Sequence, residues 1–283
     1  MRMPRPARAD KDRSPDGRMS LGEHVYELRY RVIVSIGAVI VTTIVAYVFH
    51  GHILHFLEQP YCKLPAKDRA LQGRCVLITH GILEPFTVTL KVSLYAGVLA
   101  ASPVWLYQLW RFVTPGLYAH EKRYATVFVA ASVLLFALGA AFAYYTLEKG
   151  LNFLLGFASG GIASLPTVTA YLGFVVAMVL VFAVSFELPL LVIMLNLVGV
   201  VSAARLRHSW RGVIMGIAVF AAVATPSQDP FTMSALALPM CVLYGIAVII
   251  ATVHDKRVAA REPLYDLADD ELSSIDDDEP AVT

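Results

Sequence analysis

The sequence predicts an all-α polytopic membrane protein with six transmembrane helices and both termini in the cytoplasm. Three observations support this fold class. The 283 residues are 57% hydrophobic and 16% charged, with a mean hydropathy of +0.63, which is far from the composition of soluble domains. Six apolar runs have the length of membrane spans or approach it. The segments that connect them alternate between rich and poor in Lys and Arg.

The apolar runs define the predicted domains. The predicted spans are about 32–49, 86–104, 124–147, 171–199, 212–225 and 231–253, all within one membrane domain, 19–254. Basic residues crowd the leader and the connections after the second and fourth spans, so the positive-inside rule predicts cytoplasmic termini. The basic tail 1–18 and the acidic tail 255–283 are predicted to be disordered.

Two of the predicted spans have unusual lengths. The run 171–201 would extend roughly 45 Å as a straight helix, more than a bilayer needs, and Pro189 makes a bend plausible. The run 212–225 reaches only roughly 20 Å. The turn that follows it, from Pro226 to Asp229, is therefore expected to thin the bilayer or to place Asp229 in a wet recess.

The sequence argues against catalytic function. It has no Gly-rich phosphate loop, no His-Glu-x-x-His and no Gly-x-Ser-x-Gly, and its eight histidines form no metal-ligand cluster. We therefore expect no enzymatic activity, no metal, no cofactor and no nucleic-acid partner. Two other classes stay open at this point: a small-molecule transporter with Glu187 as proton carrier, and an intramembrane enzyme whose nucleophile is not visible in the sequence.

The leader ends in the motif MSLGEHVYELRYRV. Ser20 and Glu23 have the spacing of a capping box, which predicts a helix that begins near Leu21 and continues into the first span. Glu27 and Arg31 are an i,i+4 pair on this helix. They are either a solvated ion pair of an interfacial helix, or a site at which Glu27 recognises a basic ligand.

A second motif, SPVWLYQLWRFVTPGLYAHEKRY, follows the second span. Its aromatic residues suit an interfacial belt, and Pro115-Gly116 suits a turn before the third span. Taken by itself, this segment is typical of ordinary membrane anchoring.

Glu187 is the carboxyl group inside the apolar run 171–201. A carboxyl group at this depth is stable only if it is neutral, paired or facing water. It either meets a polar group of another chain, or it is protonated and bonded to a backbone carbonyl that Pro189 leaves free.

Cys62 and Cys75 bracket the loop between the first two spans. This loop is predicted to lie outside the reducing cytosol, so a disulfide between them is expected, whereas Cys241 in the last span is expected to be an inert apolar residue.

Four blocks in this order, SLGEHVYELRYR, WRFVTPGLYAHEKR, VSFELPLL and TPSQDPF, resemble the TatC family, the receptor subunits of the twin-arginine protein translocase. The resemblance extends from about Met19 to about Arg257. The last block departs from the Thr-Pro-Pro-Asp of many members, because Ser227 and Gln228 precede Asp229.

The resemblance implies a cup-shaped bundle that binds twin-arginine signal peptides of folded proteins. Glu27 and Glu121 match the acidic positions that hold the two arginines, since a carboxylate accepts two parallel bonds from a guanidinium group. Phe112 matches a position that packs against the apolar residue after them. The residues that would support this site are Glu23, His24, Arg29, Arg31, Pro115 and Arg123.

The resemblance also implies partners and a location. The family works in the cytoplasmic membrane with single-span subunits of the TatA or TatB type, it self-associates, and the proton-motive force drives export. Glu187 matches a position on the concave face of the cup that is proposed to meet a polar side chain in a partner helix.

Overall fold

The computed structural model describes residues 21–63, 79, 81–113, 122–156 and 167–260. These residues form ten helices and no strand. The predicted tail 1–18 lies outside the described residues, as does the predicted tail 255–283 from residue 261 onward. The helices are α1 (Leu21–Val48), α2 (His50–Cys62), α3 (Glu84–Ala100), α4 (Ser102–Val113), α5 (Lys122–Gly156), α6 (Val168–Ser185), α7 (Leu188–Leu197), α8 (Ala203–His208), α9 (Trp210–Ala224) and α10 (Pro230–Ala259).

The apolar helices match the predicted spans in position. Four stretches of the described chain are long and apolar enough to cross a membrane: Val25–Val48, Thr126–Leu154, Val168–Leu197 and Pro230–Ala259. The pair α3 and α4 passes the same test as one span with a bend of 52°. Helix α9 coincides with the predicted short span and is apolar, but it has only 15 residues.

The second predicted span, 86–104, bends before its predicted end. Helix α3 stops at Ala100, and α4 begins at Ser102 in a new direction. Pro103 lies in the first turn of α4, where its missing N–H costs least, and it cannot donate to the carbonyl of Leu99. The indole N–H of Trp105 donates to the Val98 carbonyl at 3.0 Å across the bend. The aromatic motif therefore forms a separate helix.

The fourth predicted span, 171–199, is divided at Phe186 and Glu187 into α6 and α7. Pro189 lies in the first turn of α7 and has no N–H to donate to the carbonyl of Ser185. The bend predicted from Pro189 is confirmed as a break in the helix. Its effect is to place Glu187 between two helices.

Close backbone contacts join the helices of the bundle in pairs. A Cβ atom added at Gly97 on α3 would lie 2.7 Å from the Cα of Thr43 on α1, and the hydroxyl of Thr42 donates to the Gly97 carbonyl at 2.8 Å. A Cβ atom at Gly139 on α5 would lie 2.7 Å from the Phe182 carbonyl on α6. Small residues at such crossings let two backbones approach where no hydrophobic effect drives helices together.

Helix α2 is held against α5 and α6 by two tyrosines. Pro60 lies inside α2 and leaves the Phe56 carbonyl without its usual helical donor. The hydroxyl of Tyr144 donates to this carbonyl at 2.9 Å. The hydroxyl of Tyr171 donates to the Leu57 carbonyl at 2.8 Å. The tyrosines thus supply donors to backbone groups of α2 and fix its position on the bundle.

The opposite end of the bundle is held by the carboxyl group of Asp255 on α10. It accepts a hydrogen bond from the Asn196 amide at the end of α7, at 2.8 Å, and one from the Ala203 backbone N–H at the start of α8, at 2.7 Å. Helix α7 ends at Leu197, and Gly199, two residues later, has a φ of +80°, a left-handed conformation that glycine adopts without strain. Asp255 therefore ties the connection between α7 and α8 to α10.

The outer surface of the bundle carries many exposed large apolar side chains. On α1, the side chains of Ile33, Ile36, Ile40 and Ile44 are all more than half exposed. In an aqueous protein such a surface would drive aggregation, whereas in a bilayer lipid chains cover it. The exposed surface therefore agrees with the membrane class that the composition predicts.

We expect Gly97→Ala to lower the apparent melting temperature of the protein in detergent by several degrees, because the new methyl group would force α1 and α3 apart. Overpacking of this kind costs about 1–3 kcal/mol. Gly216→Ala on α9 is the matched control, since a Cβ atom there meets nothing within 4 Å. Equal melting temperatures for the two variants would contradict the close crossing.

Cys62 is disulfide-bonded and Cys241 is free. Cys75 lies outside the described residues, so its pairing with Cys62 stays a prediction. We expect mass spectrometry of non-reduced peptides to find Cys62 joined to Cys75, which in the chain-entropy model stabilises the loop by about 3 kcal/mol. Recovery of both as free thiols from protein isolated without reductant would contradict the pairing.

Candidate functional site

Glu27 and Arg31 form an ion pair on one face of α1. The Arg31 guanidinium donates to Glu27 Oε1 through Nε at 3.2 Å and also through Nη2. Arg31 is only 8% exposed, so this pair is not the solvated surface pair of the simpler interpretation. The second carboxylate oxygen, Glu27 Oε2, is buried and has no hydrogen-bond partner among the residues that the structure describes. One oxygen of Glu27 is therefore fixed, and the other is left for a further donor.

Arg31 also connects α1 to α4. Its Nη1 lies 3.5 Å from Oε1 of Gln108. Glu27 is one turn before Arg31 on α1, and Phe112 is one turn after Gln108 on α4. Phe112 is partly exposed. The contact between Arg31 and Gln108 therefore places the helical turns that carry Glu27 and Phe112 on two adjoining helices.

The structure describes only part of the predicted signal site. Glu121 and Pro115 lie outside the described residues. Glu23 and His24 lie in α1 and Arg123 in α5, but their side chains are not among those described. Arg29 is exposed and Arg31 is buried, so the two arginines differ in environment. The structure brings Glu27, Arg31 and the α4 segment with Phe112 together.

Glu187 is at the end of a chain of buried hydrogen bonds. The Trp110 indole N–H on α4 donates to the Ser132 hydroxyl on α5 at 2.7 Å, and this hydroxyl donates to Glu187 Oε2 at 2.7 Å. Trp110 is 2%, Ser132 0% and Glu187 8% exposed. Within the described part of the chain, Glu187 Oε1 is buried without a hydrogen-bond partner.

These contacts exclude one of the two interpretations of Glu187 and leave the other open. Its carboxyl group is bonded to the Ser132 side chain rather than to a backbone carbonyl freed by Pro189. The alternative of a backbone-bonded acid is therefore wrong, because within the described residues neither carboxylate oxygen bonds a backbone carbonyl. Oε1 is buried and has no hydrogen-bond partner among the described residues, so the interpretation that Glu187 meets a polar group of another chain stays open.

Asp229 is in the hairpin between α9 and α10 and has a structural role. It is the N-cap of α10: Oδ1 accepts from the Thr232 backbone N–H at 2.8 Å, and Oδ2 accepts from the Thr232 hydroxyl. Asp229 is buried, so the alternative that it lies in a wet recess is wrong. Burial acts to raise the pKa of its carboxyl group, but hydrogen bonds from Ser227, Thr232 and Phe231 outweigh this and lower the pKa. Pro226, before it, is exposed.

The described ranges contain no group of three or more His, Cys, Asp or Glu side chains that could hold a metal ion.

The sequence profile of a known family matches residues 23–239, which include Glu27, Gln108, Ser132 and Glu187; the family is described as Sec-independent protein translocase protein (TatC). The chain belongs to the TatC family. The resemblance of the four sequence blocks to this family is therefore confirmed.

Individual members of the TatC family are similar over most of the chain. The TatC of Frankia casuarinae is 51% identical over 274 residues, which cover 94% of this chain and 75% of that relative. The TatC of Aquifex aeolicus is 35% identical over 242 residues, covering 84% of this chain and 97% of the relative. A crystal structure of the twin-arginine translocase receptor TatC matches with a TM-score of 0.67 at 35% identity, over 81% of this chain and 99% of that chain.

Membership of the TatC family identifies the chain as a component of a protein translocase. A translocase component is a part of the transport machinery and not an enzyme, so the prediction of a non-enzymatic protein is confirmed and the intramembrane-enzyme alternative is set aside. The small-molecule transporter alternative is set aside for the same reason.

Three residues near the sites were missed or misread in the sequence. Gln108 and Trp110 lie in the aromatic motif, where Trp110 was interpreted as an interfacial anchor although it is buried. Ser132 is a single small polar residue in an apolar span, a pattern that is typical of interhelical hydrogen bonds. That pattern was the only sequence signal for it.

We expect Asp229→Asn to destabilise the protein at neutral pH and to lose this effect in acid. A carboxyl group whose pKa is lower in the folded state stabilises the protein at every pH above its unfolded pKa of about 3.9. This stabilisation is lost as the pH falls through the pKa of the folded state. The difference in melting temperature between wild type and Asp229→Asn should therefore shrink below about pH 4. A difference that stays constant between pH 7 and pH 3 would contradict a charge-dependent cap.

Proposed function

We propose that this chain is the receptor subunit of a twin-arginine translocase in the cytoplasmic membrane. In this proposal it is a cup-shaped bundle of six spans with both termini in the cytoplasm, and α9 is the short fifth span. It binds the signal peptides of folded proteins and passes them, with single-span partners of the TatA or TatB type, across the membrane. The names of its relatives and the basic residues of the leader support the proposal.

The observation that carries the proposal is the state of Glu27. Its Oε1 is held by Arg31, while its buried Oε2 is free within the described chain. A guanidinium group of the signal peptide can donate to Oε2, and the buried Arg31 keeps the carboxyl group from rotating away. In this role Arg31 is a positioning residue, since a direct contact with a basic signal would be repulsive. Arg29, which is exposed, is proposed to support the same site.

The rest of the signal site is proposed around this carboxylate. Glu121 would bind the second arginine, because the one oxygen of Glu27 that is free within the described chain cannot pair with two guanidinium groups. Phe112, one turn from Gln108, would pack against the apolar residue that follows the arginines. The supporting residues Glu23, His24, Pro115 and Arg123 stay predictions from the family motif.

We expect Glu27→Ala and Glu121→Ala each to weaken binding of a twin-arginine peptide, because each removes one charge-assisted contact. Such contacts contribute about 1.5–3 kcal/mol, which corresponds to roughly 10- to 150-fold in Kd. Binding of a fluorescent signal peptide to the purified protein in detergent measures the effect, and a twin-lysine peptide should bind weakly to every variant.

The matched control for these variants is Glu148→Ala. Glu148 is also a partly exposed glutamate, but it pairs with Lys63 at 3.8 Å beside α2. This control should bind the twin-arginine peptide like wild type. Unchanged affinity in the double variant Glu27→Ala/Glu121→Ala would show that the signal site lies elsewhere.

Glu187 is proposed to dock a partner subunit. It lies inside the stretch Val168–Leu197, about 15 Å along the helix from Leu197, with apolar chain on both sides. Its buried Oε1 is free within the described residues. A polar side chain in the helix of a TatA- or TatB-type subunit would satisfy this oxygen. Self-association of receptor subunits and coupling to the proton-motive force belong to the same proposal.

We expect Glu187→Ala to abolish crosslinking of partner helices beside residue 187 in membranes, and Glu187→Gln to retain much of it. Gln preserves the shape and the hydrogen-bonding groups, whereas Ala removes them. Both variants should bind the twin-arginine peptide like wild type, because Glu187 is not part of the Glu27 site. Normal recruitment in the Ala variant would refute the docking role.

A further inference from the structure

The carboxyl group of Glu187 is held by two residues from other helices. Ser132 on α5 contacts Glu187 Oε2, and Trp110 on α4 contacts Ser132, each at 2.7 Å. The Trp110 ring is itself fixed by an edge-to-face contact with Phe128, with 5.2 Å between ring centroids. All three groups are more than nine-tenths buried, so no bulk solvent competes for these bonds.

The direction of the hydrogen bonds in this chain follows from its chemistry. An indole N–H can only donate, so Ser132 Oγ accepts from Trp110. Other hydroxyls in the spans, such as those of Ser93 and Thr146, donate to the carbonyl four residues earlier. Ser132 makes no such bond in the described structure, so its single hydrogen is directed at Glu187. Glu187 Oε2 is therefore an acceptor.

This direction determines where a proton on Glu187 must be. Among the described residues, the ion pairs are those of Arg31 with Glu27, Lys63 with Glu148 and His254 with Asp255, and none involves Glu187. An unpaired charge at bilayer depth costs several kcal/mol, which favours the neutral acid. Because Oε2 already accepts the Ser132 hydrogen, the acid proton is on Oε1.

We infer that Ser132 and Trp110 are positioning residues that hold neutral Glu187 by Oε2 and leave its buried Oε1 hydroxyl as the hydrogen-bond donor for a partner helix. The complementary group on the partner is then an acceptor, such as a side-chain carbonyl. The inference rests on the docking role proposed above. It accounts for the expected tolerance of Gln at position 187: the Gln carbonyl would accept from Ser132, and its NH₂ group would donate in place of the Oε1 hydroxyl.

Infrared difference spectroscopy of the receptor in lipid bilayers tests the positioning without any partner. Wild type minus Glu187→Gln should show the C=O band of a protonated carboxyl group. Ser132→Ala should move this band to higher wavenumber, because the carbonyl loses its donor, and Trp110→Phe should move it less. Ser132→Thr, which keeps a hydroxyl, should leave the band near its wild-type position.

Thr146→Val is the matched control, since it removes a buried hydroxyl from the same helix, α5, that bonds only its own Phe142 carbonyl. It should not move the band. A missing band, or a band that Ser132→Ala leaves unmoved, would overturn the inference, even if Glu187 does dock a partner.

Crosslinking to the TatA- or TatB-type subunits provides the second test. Ser132→Ala should reduce recruitment about two- to tenfold, as expected for one buried hydrogen bond. In a Glu187→Ala background the same change should have no further effect, because Ser132 acts through Glu187. Equal losses in both backgrounds would mean that Ser132 only supports the fold, and would overturn the inference.

The two tests separate failure of the docking role from failure of the positioning. If Glu187→Ala recruits partners normally, the docking role is wrong and with it the assignment of an acceptor on the partner. The infrared result then decides the positioning by itself.

Discussion

A polar group in hydrocarbon must find its hydrogen-bond partner inside the protein, and the interior of this bundle is arranged around that constraint. Most hydroxyl groups find an acceptor in their own helix: the Thr146 side chain, for example, donates to the Phe142 carbonyl four residues earlier in α5. A backbone carbonyl that loses its helical donor at a proline accepts from a distant side chain instead, as the Phe56 carbonyl does from the Tyr144 hydroxyl. Glu187 and Glu27 differ, because each has one oxygen bonded and the other free within the described residues. Both carboxylates to which binding roles are assigned are thus incompletely satisfied, as are, in the same part of the chain, Thr43 Oγ1, Asn196 Oδ1 and His254 Nδ1.

Helix α4 is the element that both of these carboxylates share. Gln108 contacts Arg31 beside Glu27, and two residues later Trp110 begins the hydrogen-bond chain that ends at Glu187. The 52° bend after α3 makes this possible, because it turns α4 across α1 and α5 instead of continuing along the first direction. Trp110 is buried in the smaller of the two apolar clusters, together with Leu106 and Phe136. A displacement of α4 would therefore change the surroundings of both carboxylates.

Features with local causes could be predicted from the sequence, and features that depend on helix packing could not. The break near Pro189 follows from proline chemistry and is present. The role of Ser132 depends on which side chains of α4 and α6 face it, which no spacing in one span reveals. Asp229 is an intermediate case. Its sequence Asp-Pro-Phe-Thr carries a helix-capping signal, but the short span before it led to the expectation of a thinned bilayer or a wet recess, and the cap was not predicted.

The pairing of α1 with α3 bears on how the chain is inserted. Helix α1 is lipid-exposed over most of its surface, and its main neighbours are α3 and α4, which follow it closely in sequence. Helices α5 and α6, which follow each other directly in the chain, also pack together. Contacts between consecutive helices close with little loss of chain entropy, so each pair can assemble as soon as its second member enters the bilayer. Helix α10, which packs on α7 and α9, completes the bundle only at the end of synthesis. Until then the Ala203 N–H and the Leu206 carbonyl on α8 are without their partners Asp255 and Tyr244 on α10, so the α8 end of the bundle is fixed last.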